Sequence, residues 1–191
     1  MEEQKLSILC KEGDSNARKI LYETYAGYML GICIRYVGDK HVAQDLLHDG
    51  FLKIFASFEK FTWRGSGSLK AWMSRIMVNM AIEHLRRERN GKLVFEESSG
   101  DIAGREEKLG LYVEPLADKV SLIPESVIMK FISELPQGYR TVFNLFVFEE
   151  KSHKEIASML GINERSSSSQ LLRAKSALAR RINEYIKDND L

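Results

Sequence analysis

Cysteine, proline and net charge are what this sequence has least of. Its two cysteines, Cys10 and Cys33, form no CxxC motif and have no companions for a zinc site among 191 residues. They read as reduced core thiols and not as a disulfide framework. Three prolines, 13 glycines and 9% aromatics exclude collagen-like and low-complexity classes. No apolar run approaches the roughly 20 residues that span a bilayer. The opening segment MEEQKLSILCKEGD is acidic and lacks the apolar stretch and small-residue cleavage site of a secretory signal. A cytoplasmic protein with no membrane insertion is the expectation. Basic and acidic residues nearly cancel, 28 against 27, which excludes a uniformly basic coat for nucleic acid and a disordered acidic chain. With 44% hydrophobic residues there is material for a core, and this length suits two small cores better than one large one.

The balance conceals segregation. Residues 1–59 carry a net charge of −2, residues 60–92 of +6, residues 93–150 of −6 and residues 151–191 of +3. Two basic blocks separated by an acidic stretch suggest two nucleic-acid contacts on one chain, although a solvated charged face is the plainer alternative.

Apolar spacing is helical almost throughout, and no segment alternates with period two between turn residues, so no sheet is expected. Asp14 or Ser15 can cap a helix carrying Ile20, Leu21, Tyr25, Tyr28, Met29, Ile32 and Tyr36, which Gly38 ends. Asp39 caps a second helix with Val42, Leu46, Phe51, Leu52 and Phe55. The Gly/Ser-rich loop FTWRGSGS (61–68) leads into a helix from about Leu69 to Arg89, with Trp72, Ile76, Met80 and Leu85 on one side. Periodicity then weakens, and EESSGDIAGREEK reads as an acidic interdomain linker with room for a short helix. Pattern resumes at Pro124, which suits a helical first turn, and Pro136 ends that helix. Ser152 and Glu155 form a capping box; the helix they open stops at Gly161, and a last helix runs from after Asn163 to about Ile186.

A short helix, a three-residue turn with glycine and a longer basic helix are the sequence form of a helix-turn-helix. Ser167, Leu171, Ala174 and Leu178 share the face expected to pack inward, while Arg165, Ser168, Ser169, Leu172, Arg173 and Ser176 share the outward one. Small hydroxyls and arginines there would allow close approach to a major groove. An ordinary helical hairpin with a solvated basic face is the competing reading. In the middle block, aromatics interleave with basic and amide side chains, a mixture suited to single-stranded DNA. Phe61, Trp72 and Ile76 read as core, leaving Trp63, Arg64 and Asn79 as the candidates for contact.

Catalytic readings fail. GSGSLK (65–70) lacks the GK[ST] of a phosphate loop and has no strand before it. The histidines are scattered, and Asp45, His48 and Asp49 have no second ligand cluster for a metal. No enzyme activity, metal or cofactor is expected.

Taken together the chain resembles a sigma factor of the extracytoplasmic-function class, the smallest members of the sigma-70 family. AQDLLHDGFLKIF (43–55) is similar to the family's polymerase-binding helix, with His48 in place of its usual Gln and Gly50 in the helix interior, where glycine costs about 1 kcal/mol relative to alanine. FTWRGSGSLKAWMSRIMVNMAIEHLRR resembles the promoter-melting and minus-ten-reading region, and ELPQGYRTVFNLFVFEEKSHKEIASMLGIN continuing into SSQLLRAKSAL the minus-thirty-five-binding domain, with Ser168 where a basic residue is usual.

The resemblance implies an all-α fold: a region 2-like domain over 1–90, an acidic linker over 91–123 and a region 4-like helix-turn-helix over 124–188. It implies docking of Asp45, His48, Asp49 and Lys53 on the β′ clamp helices of core RNA polymerase. Minus-ten contacts would come from Trp63, Arg64, Ser66, Arg75, Asn79, Arg86 and Arg87, and minus-thirty-five contacts from His153, Arg165, Ser168, Ser169, Leu172, Arg173 and Lys175. Promoter DNA and an anti-sigma protein are the further partners implied. A two-domain helix-turn-helix repressor or activator acting without polymerase, and a sigma-like adaptor without promoter function, remain the alternatives.

Overall fold

The computed structural model describes residues 2–88, 114–115 and 117–190, and the described residues contain helices and no strand. They fall into two compact units, one within Met1–Glu88 and one within Arg89–Leu191. Most of the segment read as linker lies outside the described residues.

The first unit is built from α1 (Glu3–Lys11), α2 (Ser15–Val37), α3 (Lys40–Ser57), a 3-10 turn (Phe58–Lys60) and α4 (Ser68–Glu88). Its ends follow from local chemistry. The Asp14 carboxylate accepts the Ala17 N–H at 2.7 Å, satisfying one of the amides that a helix start leaves unpaired. Gly38 closes α2 at φ 77°, a left-handed conformation that glycine adopts without a Cβ penalty. Asp39 then accepts from His41 and Val42 at 2.8 and 2.9 Å and opens α3.

The long helices α2, α3 and α4 pack on one another, and α1 lies against α2 and the 3-10 turn. The core contains Leu21, Met29, Ile32 and Tyr36 of α2, Leu46, Leu47, Phe51 and Ile54 of α3, and Leu69, Met73, Met77 and Leu85 of α4. Gly50 sits where α3 meets α4: a Cβ there would collide with Sδ and Cε of Met77.

Three expectations are corrected. Tyr28 is 46% exposed and Leu52 58% exposed, so neither belongs to the core stripe of its helix. On α4 the buried residues are Leu69, Met73, Ser74, Met77, Val78, Ala81, Ile82 and Leu85, so of the expected stripe Leu85 is core while Trp72, Ile76 and Met80 are half-buried. α4 is apolar around much of its circumference, and packing on two neighbours selects the face. Helix α1, for which the sequence pattern gives no signal, anchors through Leu6 and Cys10.

The second unit comprises α5 (Ala117–Val120), α6 (Glu125–Ser133), α7 (Gln137–Val147), α8 (His153–Leu160) and α9 (Glu164–Asp188). α9 is the spine, with α5, α6, α7 and α8 packed on it. Ile123, at the end of the segment read as linker, is buried. Ile132, Leu135, Ala174 and Leu178 form one core cluster. The carbonyls at the end of α6 find a donor in Arg140 of α7, whose buried guanidinium donates to Ser133 O at 2.5 Å and Leu135 O at 3.2 Å. Burial lowers the Arg140 pKa below its ordinary value. The capping box of α8 forms, with Glu155 accepting the Ser152 N–H at 2.9 Å. Gly161 ends α8 at φ 69°, and Asn163 opens α9 by accepting the Ser166 N–H at 2.7 Å. A helix, a Gly-containing turn and a long second helix are thus in place as the sequence pattern implies.

Candidate nucleic-acid interface

In the first unit a solvent-open cavity of about 210 Å³ lies between the 3-10 turn, the loop after it and the first two turns of α4. Its lining is Lys60, Phe61, Thr62, Arg64, Ser68, Ala71, Trp72 and Arg75. Trp72 rests against Phe61 at 5.0 Å and Phe58 at 5.2 Å between ring centroids, so its indole is held by aromatic edges and faces. Lys60, Arg64 and Arg75 have no acidic partner among the described residues. Three unpaired cations around a braced indole provide phosphate attraction and a stacking surface in one place.

The structure therefore brings Arg64 and Arg75 together and adds two residues that sequence reasoning missed, Lys60 and Trp72. By its pattern Trp72 reads as core, and its i, i+3 spacing to Arg75 is the signal in the sequence that links it to the cavity. Trp63 is half-buried and Ser66 exposed, and neither lines the cavity. Asn79 is exposed one turn beyond Arg75, and Arg86 and Arg87 are exposed further along α4. Arg87 pairs with Glu83 of its own helix.

On α3, Asp45, His48, Asp49, Leu52 and Lys53 are all exposed, at the spacing that places them on one side of the helix. Leu47, Phe51 and Ile54 occupy the buried side. No hydrogen bond or ion pair ties the four polar side chains to the described residues. No three His, Cys, Asp or Glu side chains among the described residues gather where they could hold a metal ion.

In the second unit the inward face of α9 is as expected: Ser167 and Ala174 are fully buried, and Leu171 and Leu178 nearly so. Arg165, Ser168, Leu172 and Lys175 are exposed, and Ser169, Arg173 and Ser176 half-exposed. Neither Arg165 nor Arg173 pairs with an acid among the described residues. The serines are less free than their exposure suggests. Ser168 Oγ donates to Arg165 O at 3.2 Å, and Ser169 Oγ to the same carbonyl at 2.9 Å. His153 is engaged too: its Nδ1 lies 2.9 Å from Ser167 Oγ, and its ring stacks on Phe146 at 5.0 Å. That pairing ties the start of α8 to α9. Lys175 lies over the same Phe146 ring, 6.0 Å from its centroid.

Among the described residues no helix is long and apolar enough to cross a membrane.

Comparison with known proteins adds an independent line. Residues 21–91 match the family model described as Sigma-70 region 2, and residues 126–178 the one described as Sigma-70, region 4. The RNA polymerase sigma-H factor of Pseudomonas aeruginosa is 26% identical over 199 residues, covering 98% of this chain and 97% of that protein. The ECF RNA polymerase sigma factor SigW of Bacillus subtilis is 26% identical over 181 residues, covering 91% of this chain and 93% of that protein. A solved chain, titled "Structure of CnrH in complex with the cytosolic domain of CnrY", is similar over 95% of this one and 97% of its own length, at 20% identity with a TM-score of 0.47.

Proposed function

The chain belongs to the sigma-70 family, in its extracytoplasmic-function class, and from that footing we propose how its two units divide the work of starting transcription. Members of the family are regulatory DNA-binding proteins that serve transcription initiation, and are not enzymes. The exposed stripe Asp45, His48, Asp49 and Lys53 docks on the β′ clamp helices of core RNA polymerase. A stripe free of internal partners, on a helix whose other side is core, supports this. His48 keeps the polar, hydrogen-bonding character of the family's usual Gln.

The minus-ten element is opened and its non-template strand held at the cavity on α4. A base flipped from the stack lies against Trp72, and Lys60, Arg64 and Arg75 neutralise the flanking phosphates. Asn79, Arg86 and Arg87 extend the track along α4, and Trp63 and Ser66 flank it. This cavity, combining unpaired cations with a braced indole, is the observation that carries the reading. In the second unit α9 enters the minus-thirty-five major groove with Ser168, Ser169, Leu172 and Arg173 at the DNA, flanked by Arg165 and Lys175, while His153 orients α8. The segment 91–123 passes through the polymerase cleft as an acidic mimic of nucleic acid. An anti-sigma protein, as the class implies, controls the factor by covering both units, and the cytoplasm is where it acts.

The test is open-complex formation by the assembled holoenzyme. Arg64→Ala and Arg75→Ala should reduce it on duplex promoter far more than on a promoter with a pre-melted bubble, with core binding retained. Equal losses on both templates would refute strand capture at this cavity. Reversing Asp45 and Asp49 to Lys should instead abolish core binding. Duplex binding by the free chain with no affinity for core polymerase would favour the repressor alternative.

A further inference from the structure

Helix α4 begins without a local cap. The first amides of any helix lack intrahelical acceptors, and a Ser, Thr, Asp or Asn just before the helix usually accepts from them. Here that position is Gly67, at φ 81°, which has no side chain to offer. The acceptor arrives from the other end of the unit. Glu3, the first residue of α1, places Oε2 2.7 Å from the Gly67 N–H and Oε1 3.3 Å from the Lys70 N–H, spanning 64 residues of sequence to the first. One carboxylate thus accepts from two amides at the positive end of the α4 dipole. Tyr25 of α2 hydrogen-bonds the same carboxylate; burial, the Glu3 charge and that bond together push the Tyr25 hydroxyl pKa above its ordinary value.

The loop that meets this carboxylate has few other constraints. Gly65 and Gly67 both have positive φ, at 112° and 81°, and Arg64, Ser66 and Gly67 are exposed. Its own bonds are local, from the Ser68 N–H to Gly65 O at 3.1 Å and from the Arg64 N–H to Ser68 Oγ at 3.3 Å. Among the described residues, Glu3 supplies the hydrogen bonds that tie this loop and the start of α4 to another element of the unit. The opposite end of α1 reaches the other wall of the cavity, where Lys11 Nζ donates to Glu59 O at 3.5 Å beside Lys60. A single nine-residue helix brackets both walls.

We propose that Glu3 is a positioning residue for minus-ten capture: it fixes the 64–68 wall of the cavity and so sets how strictly the captured base is chosen. The inference rests on the strand-capture reading above. Loss of a cap of this kind corresponds to about a fivefold effect on an equilibrium. In full-length chain assembled with core polymerase, Glu3→Ala should lower the preference for the favoured base over its alternatives by about that factor, measured with single-stranded minus-ten oligonucleotides varied at one position. Glu3→Gln, which keeps one acceptor oxygen, should lose less. In Glu3→Ala the Gly67 and Lys70 amides should also exchange with solvent faster, and core affinity should not change.

A merely structural role would reduce the active fraction equally for every oligonucleotide and leave the preference ratio where it was. An unchanged ratio, or a parallel loss of core affinity, overturns the proposal. Arg75→Ala in the same assay separates the two failures. If it abolishes capture while Glu3→Ala leaves the ratio intact, only the role of Glu3 falls; if it has no effect, strand capture at this cavity falls as well.

Discussion

Gly50 provides the sharpest quantitative test of the packing, because two opposing terms meet at one atom. Replacing a helix-interior glycine by alanine is ordinarily worth about 1 kcal/mol in favour of the helix. At Gly27 and Gly31 of α2 nothing lies within 4 Å of an added Cβ, and both are exposed. Gly27→Ala and Gly31→Ala should each stabilise by about 0.5–1 kcal/mol. At Gly50 the added methyl meets Sδ and Cε of Met77. Met77 is 1% exposed and lies among fully buried neighbours such as Met73, so its flexible end has little room to swing away. Overpacking of this kind costs about 1–3 kcal/mol, which exceeds the propensity gain. Gly50→Ala should therefore destabilise the first unit by about 1 kcal/mol.

Both tryptophans, Trp63 and Trp72, belong to that unit, so urea unfolding followed by tryptophan fluorescence reports on it alone. The midpoint should fall with an unchanged slope. In a Met77→Ala background, where the obstructing atoms are gone, the same substitution should change sign and become stabilising. A Gly50→Ala protein as stabilised as Gly27→Ala, or an unchanged sign in the Met77→Ala background, would refute the close approach of α3 and α4.

Arg140→Met leaves the Ser133 and Leu135 carbonyls without that donor and should destabilise the second unit by about 1–3 kcal/mol in thermal unfolding followed by circular dichroism, with the tryptophan transition of the first unit unmoved. Burial pushes the Cys10 and Cys33 thiols up to about 11, so neither should react with Ellman's reagent at pH 8 until the chain is unfolded. The Glu155 carboxyl is held below its usual range by the Ser152 N–H and hydroxyl and by Lys151, and Asp39 by the Val42 and His41 N–H groups. Folded-state values below the unfolded ones give stability that is present above the ordinary carboxylate range and lost as pH falls through the lowered values. Glu155→Gln and Asp39→Asn should each flatten that acid limb, and an unaltered limb would remove these caps from the account. Arg173→Ala should cost about 1–3 kcal/mol in promoter binding with relaxed preference at one base pair if it reads a base edge, or reduce the salt slope by about one if it binds phosphate; no change in either rules it out of the interface.

Chain punctuation was the most legible part of the sequence. Asp14, Gly38, Asp39, Ser152, Gly161 and Asn163 act within a few residues of themselves, so their chemistry can be read locally, and each ends or begins a helix as expected. Faces were legible only where a helix has one apolar side. The inward stripe of α9 is such a case, since serines and arginines fill its other side. α4 is not: Trp72, Ile76 and Met80 compete with Leu69, Met73 and Met77, and only the neighbouring helices decide between two apolar stripes. Gly50 looked like a propensity penalty because its reason, Met77, lies on another helix. The cavity was half legible. The basic block pointed to Arg64 and Arg75, but Lys60 and Trp72 join them through the 3-10 turn and the aromatic contacts with Phe58 and Phe61, which no periodicity encodes.

The serines of α9 show how the structure changes a chemical argument and not just a location. As sequence, Ser168 and Ser169 look like donors to phosphate. In the fold each hydroxyl donates to the Arg165 carbonyl, a back-bond common for serine within helices. A phosphate oxygen only accepts, so a contact with it requires breaking a bond already made, and the net gain is small. What these side chains offer a groove is their size. They let the helix backbone approach closely, and the lone pairs left on Oγ can accept from a base amino group. In the proposed interface the attraction to phosphate then falls to the long cations that have no acid partner among the described residues, Arg165 one turn before the serines and Arg173 one turn after them. On this account the missing cation at position 168 is not a gap in the interface, because Arg165 and Arg173 bracket the serines along the same side of the helix and leave the space between them open to the bases.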